Sequence, residues 1–385
     1  MNSSHSDELL HLLQEMIRIE SVNPDLSANA SGETKLANYL GSYMKSFGLE
    51  MYYQSFDDGR KNAIGVLKGS GGGKSLMFNG HIDTVGTTDM AIDPFGAELK
   101  DGKLYGRGSM DMKSGVSAMI MATKAIADSG HQLKGDIILA CVGDEEYLSK
   151  GTEKLLEDFR ADAAIVTEPT DMKVMLAHKG FVWTNFIIHG KAAHGSRPEV
   201  GKDAILEASY LLVELLKWEN EELPKRSHPL LGRPSLHASI IKGGTEISVY
   251  PHLCELRVEW RTLPGEDATF VEEQVKDIIS KAKTHFPQLE VDYEIEFERK
   301  PLEVSREAEI VNILDRSFEE CMKSIPDYGG IAFWTDAALL AEAGIPSVIF
   351  GPSGKGLHGA VEYVEFQSVV DCMEILRKTA LQFCK

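Results

Sequence analysis

The sequence predicts a mixed α/β protein of two domains: a mixed, mostly parallel sheet flanked by helices, and a smaller inserted α+β domain. Three observations support this fold class. The chain has 385 residues, which is more than one hydrophobic core usually organises. Apolar runs typical of buried strands alternate with helical patterns, as in a largely parallel sheet. From about residue 180 the pattern changes to the order β-α-β-β-α-β, which is that of a ferredoxin-like unit.

The first part of the chain is predicted to begin with two amphipathic helices and then to alternate strands with helices. Apolar residues recur at helical spacing over 6–20, and a second helix over 33–47 stops at Gly48. The run 69–74 lacks one residue of the phosphate-binding pattern, so we interpret it as a hairpin turn. The other predicted elements are strands at 49–55, 62–67, 76–80, 136–142 and 163–166, a hairpin at 96–105, and helices at 114–127 and 150–158.

The inserted domain is predicted to cover residues 178–297, while 1–177 and 298–385 together form the catalytic domain. We interpret the middle segment as an insertion because the α/β alternation resumes after it. Its predicted elements are strands at 181–189, 236–242, 253–261 and 289–298, and helices at 202–218 and 267–285. The later elements are helices at 306–323, 335–343 and 365–383, and a strand at 346–350.

The composition argues against nucleic acid or membrane as a partner. The chain carries 59 acidic and 40 basic residues, a formal charge of −19, which repels nucleic acids and anionic membranes. It shows neither a signal-peptide pattern nor an apolar run long enough to span a bilayer. Five scattered cysteines without a CxxC pair indicate reduced thiols rather than disulfides or a thiolate zinc site. We therefore expect a cytoplasmic protein that acts on small molecules.

Polar side chains follow several predicted strands at the point where each strand ends. The apolar run at 76–80 leads to His81 and Asp83, which lie two positions apart and so share one face of an extended segment. In parallel sheets, sites form beyond the carboxyl ends of the strands. The other members of this set are Asp111, Glu145, Glu146, Glu168 and His358.

The chemistry of these side chains indicates a metal centre. Several carboxylates in one cleft repel one another unless they are protonated or neutralised by cations. Oxygen and imidazole ligands without thiolates suit catalytic zinc, with cobalt or manganese as substitutes. Two ions would share a bridging carboxylate at a separation of about 3.5 to 4 Å. Glu145 and Glu146 point to opposite sides of an extended segment, so one can bind metal while the other handles a proton.

Taken in order along the chain, the short motifs that contain these residues resemble those of the dinuclear zinc amidohydrolases. This family includes acetylornithine deacetylase, succinyl-diaminopimelate desuccinylase, aminoacylases and a glutamate carboxypeptidase. The resemblance spans nearly the whole chain. It implies a catalytic domain of the zinc-exopeptidase type with an inserted lid or dimerisation domain. The motifs that carry it are Gly80 to Asp83, Gly106 to Lys113, Asp144 to Glu146, Thr167 to Pro169, and Phe350 to Pro352 with His358.

The resemblance also implies a role for each residue of the set. Asp111 would bridge two zinc ions, Glu145 would be the general base, and Asp83 would orient a histidine ligand. A glutamate at the Glu168 position is typical of deacylases and carboxypeptidases, whereas aspartate is typical of aminopeptidases. The implied ligand sets are His81, Asp111 and Glu168 for one ion, and Asp111, Glu146 and His358 for the other.

The inserted domain carries further matches. His194 matches a histidine that, in dimeric members, reaches the partner subunit's active site and stabilises the oxyanion. Arg261 matches an arginine that grips the substrate's α-carboxylate. The alternatives are a turn histidine and a solvated arginine on an edge strand. Ser248 stands where the family usually has a substrate-binding asparagine, and residues 359–362 also depart from the usual pattern. We expect the shorter hydroxyl of Ser248 to alter the reach of this side chain and the acyl-group preference, and the second departure to alter the pocket shape but not metal ligation.

We therefore predict a homodimeric metal-dependent amidohydrolase that uses two zinc ions to cleave the amide bond of an N-acyl amino acid. A carboxypeptidase or dipeptidase acting on small peptides or acyl-glutamates is the alternative within hydrolases. A metal-binding module that has lost catalysis is the alternative from another class. The intact Asp144 to Glu146 motif argues against that module, because a pure binding site needs no unliganded base beside a ligand.

Overall fold

The structure is a computed structural model that describes residues 3–28 and 30–385. The chain divides into two compact units. Unit 1 comprises Met1–Leu176, Val304–Gly329 and Thr335–Lys385, and unit 2 comprises Ala177–Glu303 and Gly330–Trp334. Within the described ranges, no helix is both long and apolar enough to cross a membrane.

The secondary structure alternates along the chain. The α-helices are α1 (Ser3–Arg18), α2 (Thr34–Ser46), α3 (Lys113–Asp128), α4 (Lys150–Asp158), α5 (Ala204–Glu221), α6 (Ala268–His285), α7 (Glu309–Met322), α8 (Ala337–Glu342) and α9 (Phe366–Phe383), with a short 3₁₀ helix at Leu223–Lys225. The strands are β1 (Glu50–Asp57), β2 (Arg60–Leu67), β3 (Leu76–His81), β4 (Leu99–Lys100), β5 (Lys103–Tyr105), β6 (Ile137–Val142), β7 (Ala163–Val166), β8 (Val174–His178), β9 (Gly180–His189), β10 (Ser235–Gly243), β11 (Leu253–Thr262), β12 (Val291–Arg299), β13 (Leu302–Glu303), β14 (Tyr328–Ile331), β15 (Ser347–Ile349), β16 (Gly354–Lys355) and β17 (Tyr363–Glu365).

The central sheet of unit 1 has the strand order β1-β2-β6-β3-β7-β15-β8. Its middle strands β6, β3, β7 and β15 run parallel, whereas the outer pairs are antiparallel. Strands β3 and β6 are buried along their whole length, as expected for parallel strands covered on both faces. Side chains of α1, α2, α3, α7 and α9 share the core with these strands. The predicted fold class, a mixed sheet with a parallel centre and flanking helices, is confirmed.

The glycine-rich segment 69–74 is not the predicted hairpin turn, because β6 lies between β2 and β3 in the sheet. Its glycines instead allow a close approach to a neighbouring loop. A Cβ on Gly69 would lie 2.3 Å from the carbonyl oxygen of Lys134, and Gly71 N donates to the same oxygen at 2.8 Å. Glycine is therefore needed at position 69, because a side chain there would clash with the neighbouring loop.

A second, antiparallel sheet in unit 1 has the order β16-β17-β5-β4. In this sheet Val364 of β17 lies opposite Leu104 of β5. The chain that leads into β17 therefore lies beside the chain that leaves β5. The first of these segments carries His358 and the second carries Asp111, so the small sheet brings two distant segments together.

Unit 2 contains the element order β9-α5-β10-β11-α6-β12, with the four strands arranged as β10-β11-β9-β12 and all pairs antiparallel. One face of the sheet packs against α5 and α6. Val182 and Phe186 of β9 lie in one buried cluster with Leu211 of α5 and Val275 of α6. The role of this unit as a lid or dimerisation domain stays a prediction.

Candidate dinuclear metal centre

His81 ends β3 at the carboxyl edge of the parallel strands, and its side chain is 1% exposed. Nδ1 donates to the backbone carbonyl oxygen of Asp83 at 2.9 Å, which directs Nε2 towards the site. The Asp83 carboxylate lies farther off, with Oδ1 3.7 Å from Nδ1. That carboxylate accepts from the backbone N–H groups of Glu145 and Glu146 at 3.2 and 3.3 Å. Asp83 therefore contacts both the histidine and the turn that bears the glutamates.

Asp111 lies on the loop between β5 and α3, and a buried glutamate holds this loop. Oε1 of Glu362 accepts from the backbone N–H groups of Met110 and Asp111 at 2.9 and 3.1 Å. Oε2 accepts from Gly108 N at 3.1 Å and from Nη1 of Arg107 at 2.6 Å. Glu362 immediately precedes β17, so the second sheet of unit 1 places its carboxylate at this loop.

Side chains from five separate segments converge into two groups of three that share Asp111. In the first group, Nε2 of His81 lies 3.2 Å from Oδ1 of Asp111 and 3.7 Å from Oε1 of Glu168. In the second, Nε2 of His358 lies 3.2 Å from Oδ2 of Asp111 and 3.2 Å from Oε2 of Glu146. The ligand atoms of each group lie within 4.8 Å of one another. The two oxygens of Asp111 therefore face different groups.

Glu145 and Glu146 lie on a turn after β6, not on the extended segment that we predicted. Asp144 precedes this turn with a φ of 71°, in the left-handed region. The two glutamates still reach different parts of the site. Oε2 of Glu145 lies 3.9 Å from Nε2 of His81, whereas Oε2 of Glu146 lies beside His358. Among the described residues, Glu145 belongs to neither ligand group.

Burial and mutual repulsion raise the pKa of three carboxyl groups of the site, those of Glu145, Glu146 and Glu168. The pKa of Asp111 is instead lowered, despite its burial, because both histidines donate hydrogen bonds to it. Burial, with the charge of Asp111 as a further contribution, raises the pKa of Glu168 to about 8. Burial also raises the pKa of Glu145 well above its usual range, and the charges of Glu168 and Asp336 add to this shift. Negative charge in this part of unit 1 therefore exceeds what the nearby protein cations balance.

The carboxylates in turn favour the protonated forms of both histidines. Hydrogen bonds to Asp111 and Glu146 raise the pKa of His358 to about 10. Burial disfavours a charged His81, but contact with Asp111 and the charge of Glu168 raise the pKa of His81 well above its usual range. Without cations, the raised pKa values favour protonated histidines. Bound cations would displace these protons, because a metal ligand must be deprotonated.

The donor set fits a pair of divalent cations. Imidazole nitrogens and carboxylate oxygens without thiolates are the ligands of catalytic zinc. Oε1 of Glu146 is buried and has no hydrogen-bond partner in the part of the chain that the structure describes. A buried carboxylate oxygen left in this way is costly unless a cation neutralises it.

Unit 2 contains the three residues predicted to contact substrate, and it brings two of them together. The loops that carry His194 and Ser248 are joined by a backbone hydrogen bond from Gly195 N to Ser248 O at 2.7 Å. The His194 ring is exposed, and its Nδ1 lies 2.8 Å from Oγ of Ser196. The loops that carry His194 and Ser248 are therefore adjacent, and the exposed ring contacts Ser196 of its own loop.

Arg261 lies on β11, which pairs with β10 on one side and β9 on the other, so it is not on an edge strand. Its Nε donates to Oε1 of Glu259 at 2.7 Å, and its guanidinium lies over the ring of Phe181 at 5.2 Å. The side chain is 30% exposed. These contacts fix the direction of the guanidinium and leave part of it accessible.

Sequence reasoning missed several buried polar residues around the metal centre. Glu362 and Asp336 each lie among apolar residues in a short loop. A charged residue in such surroundings is unusual, so the sequence contained a signal that these two residues are functional. Oδ2 of Asp336 accepts from Oγ1 of Thr152 at 2.7 Å, and burial raises the pKa of Asp336 to about 6. Asn23 and Arg60 lie in polar stretches, where the sequence offers no comparable signal.

Comparison with known proteins identifies relatives that match nearly the whole chain. Residues 77–382 match the model of Peptidase family M20/M25/M40. Acetylornithine deacetylase from Myxococcus xanthus is 29% identical over 361 residues, which covers 91% of this chain and 92% of that protein. A probable succinyl-diaminopimelate desuccinylase from Staphylococcus epidermidis is 25% identical over 412 residues, which covers 97% of this chain and 98% of that protein.

Among solved structures, the YXEP protein from Bacillus subtilis, a dinuclear metal-binding peptidase from the M20 family, has a TM-score of 0.73 to this chain. The two share 13% sequence identity, and the match covers 99% of each chain. The family resemblance inferred from the motifs is confirmed, and with it the prediction of a metal-dependent enzyme that hydrolyses amide bonds. The chain belongs to Peptidase family M20/M25/M40.

Proposed function

We propose that this enzyme cleaves the amide bond of N-acyl amino acids, as a deacetylase or desuccinylase does. The observation that carries the proposal is the pair of ligand groups sharing Asp111, with the unliganded Glu145 beside them. A pure binding site has no use for such a carboxylate, whereas hydrolysis needs one to accept and return a proton. The named relatives, a deacetylase and a desuccinylase, support this choice of substrate.

Two zinc ions are the proposed cofactors, with cobalt or manganese as substitutes. When bound, such a pair supplies Lewis acidity and activates water for attack on a carbonyl carbon at neutral pH. Asp111 is the proposed bridge, because its two oxygens face different groups. The proposed ligands are His81, Asp111 and Glu168 for one ion, and Asp111, Glu146 and His358 for the other.

Glu145 is the proposed general base. It takes a proton from the attacking water at its carboxylate oxygen and later returns that proton to the nitrogen of the leaving amine. Burial and the neighbouring charges raise the pKa of this carboxyl, which suits a group that must hold a proton between the two steps. Asp83 supports this arrangement, since its backbone oxygen holds His81 and its carboxylate holds the backbone of the glutamate turn.

The residues of unit 2 are proposed to recognise substrate. Arg261 would bind the α-carboxylate through its guanidinium, which forms paired hydrogen bonds to planar anions. Ser248 would help to choose the acyl group, and its hydroxyl reaches less far than the family's asparagine. His194 would support the oxyanion of a partner subunit's site.

A homodimer formed through unit 2 is part of this proposal. Among the described residues, strand β10 pairs with another strand of the sheet on one side only, which makes it an edge strand. Helix α5 exposes large apolar side chains, with Leu206 67% and Leu216 57% exposed. Ile241 on β10 is 52% exposed. An apolar helix face and an edge strand in one unit are features that a second copy could cover.

A carboxypeptidase or dipeptidase is the second candidate, because the solved relative from Bacillus subtilis is a peptidase. The same ligand set and base can serve both reactions. The two differ in the acyl part of the substrate, which is a small acid in one case and an aminoacyl group in the other.

A substrate panel separates the two candidates. Protein loaded with zinc, cobalt or manganese is incubated with N-acetyl and N-succinyl amino acids, dipeptides and acyl-glutamates, and the released α-amine is quantified. We expect the highest kcat/KM with a subset of the N-acetyl or N-succinyl amino acids. A preference for dipeptides or acyl-glutamates would favour the peptidase, and no release from any compound would contradict both.

A further inference from the structure

A cluster of charged and polar side chains, buried except for Asp25, lies behind the turn that carries Glu145 and Glu146, outside both ligand groups. Its centre is Arg60 on β2, whose side chain is 8% exposed. Nη1 of Arg60 donates to Oδ1 of Asp144 and to Oδ2 of Asp25, at 2.9 Å each. Nε donates to Oε1 of Glu33 at 3.0 Å. One guanidinium thus contacts three carboxylates from different segments.

The contacts of Asp144 fix the start of the turn. Its side chain is fully buried, and Oδ1 accepts from Arg60 and also from Nδ2 of Asn23 at 3.1 Å. Oδ2 accepts from the backbone N–H of Lys150 at 3.3 Å. The φ of Asp144 is in the left-handed region, which aspartate adopts only when its surroundings favour it. These hydrogen bonds supply that support.

Asn23 connects the same cluster to the middle of the turn. Its Nδ2 donates to Oδ2 of Asp83 at 2.8 Å, in addition to Asp144. The Asp83 carboxylate accepts from the backbone N–H groups of Glu145 and Glu146. The contacts of Asp144 therefore hold the residue just before the turn, and the Asp83 carboxylate holds the first two residues of the turn. Asn23 joins these two carboxylates.

The close packing behind the turn leaves little room for it to shift. A Cβ on Gly143 would lie 2.5 Å from Oε1 of Glu33, so this carboxylate rests against the backbone just before Asp144. Lys150, at the end of the turn, does not replace Arg60, because its Nζ binds Oδ2 of Asp57 at the surface, 2.7 Å away. A buried ion cluster is weak evidence for stability, since apolar residues of similar volume often stabilise as well. Its directional contacts are a better reason for its presence.

We propose that Arg60 and Asn23 are positioning residues, which hold the Glu145–Glu146 turn so that Glu146 faces its metal site and Glu145 faces the substrate. The inference rests on the proposed function for Glu145 and on the ligand assignment for Glu146. Its signature is selective, because only one of the two ligand groups includes a residue from this turn. Loss of Arg60 therefore weakens the site of Asp111, Glu146 and His358 and spares the site of His81, Asp111 and Glu168.

Cobalt binding tests this selectivity without any substrate. Metal-free wild-type protein and the variants Arg60→Met, Arg60→Lys and Asn23→Ala are titrated with Co²⁺, and the visible absorption and bound metal are followed. In Arg60→Met we expect one equivalent to bind as in wild type and the other about 10- to 100-fold more weakly, as is typical when a residue that supports a metal ligand is lost. The affinity of Arg60→Lys for the weakened equivalent should lie between those of wild type and Arg60→Met. Asn23→Ala, which leaves the buried charge of Arg60 in place, should bind the same equivalent more weakly than wild type.

Turnover gives the second readout, measured at saturating metal with the best substrate of the panel. We expect kcat to fall at least about 10-fold in Arg60→Met with KM within about 2-fold, because the base is displaced while substrate contacts remain. Lys150→Met is the matched control: it removes a cation from the end of the same turn and should leave both readouts unchanged.

Three results would overturn the proposal: wild-type cobalt binding in folded Arg60→Met and Asn23→Ala, equal weakening of both equivalents, or the same loss in Lys150→Met. A wild-type enzyme that hydrolyses no compound of the panel would contradict the proposed function. The cobalt titration would still decide the positioning role in that case.

Discussion

Glu145 is the residue whose proposed role depends most on what it does not contact. It lies 3.9 Å from Nε2 of His81 but belongs to neither ligand group among the described residues. Its neighbour Glu146 has one oxygen 3.2 Å from Nε2 of His358. Two adjacent glutamates can thus take a basic and a ligating role because the turn, rather than an extended strand, separates their carboxylates.

Replacing Glu145 by glutamine should remove turnover and keep the metals. Glutamine has nearly the same shape but cannot accept and return a proton, so we expect kcat to fall about 10²- to 10⁴-fold. Metal content, measured by elemental analysis after gel filtration, should stay as in wild type. Glu157→Gln, which changes an exposed glutamate on α4, is the control and should keep full activity. A Glu145→Gln enzyme with normal kcat would exclude this residue as the base.

Glu362→Gln should weaken metal binding without removing any ligand. The Glu362 carboxylate accepts four hydrogen bonds from the Arg107 side chain and the backbone of the Asp111 loop. A glutamine amide would place its own N–H₂ against one of these donors, so the loop should shift. We expect zinc affinity, measured by competition with a chromophoric chelator, to fall about 10- to 100-fold.

The matched control for this variant is Glu365→Gln, three residues farther on and exposed. It changes the same charge near the same sheet, and zinc affinity should not change. Equal affinity in wild type and Glu362→Gln would show that the loop holds Asp111 without this carboxylate.

The residues of the ligand groups could be predicted from the sequence, but those that support them could not. His81 and Glu168 follow apolar strand segments, and such positions meet at one edge of a parallel sheet. Glu362 and Arg60 contact segments that are distant in sequence, the Asp111 loop and the Asp144 carboxylate respectively, so these contacts depend on the fold itself. The contact between the Asp83 carboxylate and the glutamate turn likewise could not be predicted from the sequence, which indicated only that Asp83 lies near the histidine.

At the scale of elements, long periodic helices and buried strands were predictable, and short strands were not. Helix α4 spans Lys150–Asp158, where helical spacing predicted it. Strands β8, β16 and β17 were missed, because each has five residues or fewer and follows a turn or proline-containing segment. The small sheet that contains β16 and β17 positions His358 and Glu362, so this miss concealed the supporting structure of the metal centre.

Gly115 on α3 allows this helix to pack directly against the end of β7. A Cβ at this position would lie 1.8 Å from the carbonyl oxygen of Thr167, the residue before Glu168. Gly115→Ala should therefore destabilise the protein by on the order of 1 to 3 kcal/mol and displace Glu168. We expect a lower midpoint of thermal unfolding and weaker zinc binding in the same variant.

Gly41→Ala on α2 is the matched control. A Cβ there would approach the hydroxyl end of Tyr53, which is 46% exposed and can turn aside. Alanine also favours a helix over glycine by up to about 1 kcal/mol. This variant should unfold at the wild-type temperature or above. A Gly115→Ala protein as stable as Gly41→Ala would show that α3 moves away from β7 without cost.

At the scale of the whole molecule, the acidic composition and the metal centre are linked. The chain has a formal charge of −19, and several of its carboxylates are buried in one place in unit 1. The sequence predicted their convergence but not its electrostatic consequence, since pKa values depend on burial and on distances between groups. In the metal-free protein the raised pKa values of Glu146 and Glu168 favour their protonated forms, and bound cations would displace these protons.

The stability of the metal-free protein should therefore fall as the pH rises from about 5 to 8. Glu168 has its pKa raised to about 8 from the usual 4.5, and His358 has its pKa raised to about 10. A group whose pKa is higher in the folded state stabilises folding below its unfolded pKa, and this contribution is lost as the pH rises through the folded pKa. Both groups act in the same direction. Bound zinc keeps the ligands deprotonated, so the zinc-loaded protein should lose less stability over this range.

Thermal unfolding with saturating zinc and with a chelator, at pH values from 5 to 8, measures this effect. We expect the difference between the two unfolding midpoints to increase with pH, by at least a few degrees across the range. Glu168→Gln removes one of the titrating groups, so its metal-free form should show a weaker pH dependence than wild type. A difference that stays constant or shrinks as the pH rises would mean that the buried carboxylates are balanced by the protein itself, and that zinc is not needed to neutralise them.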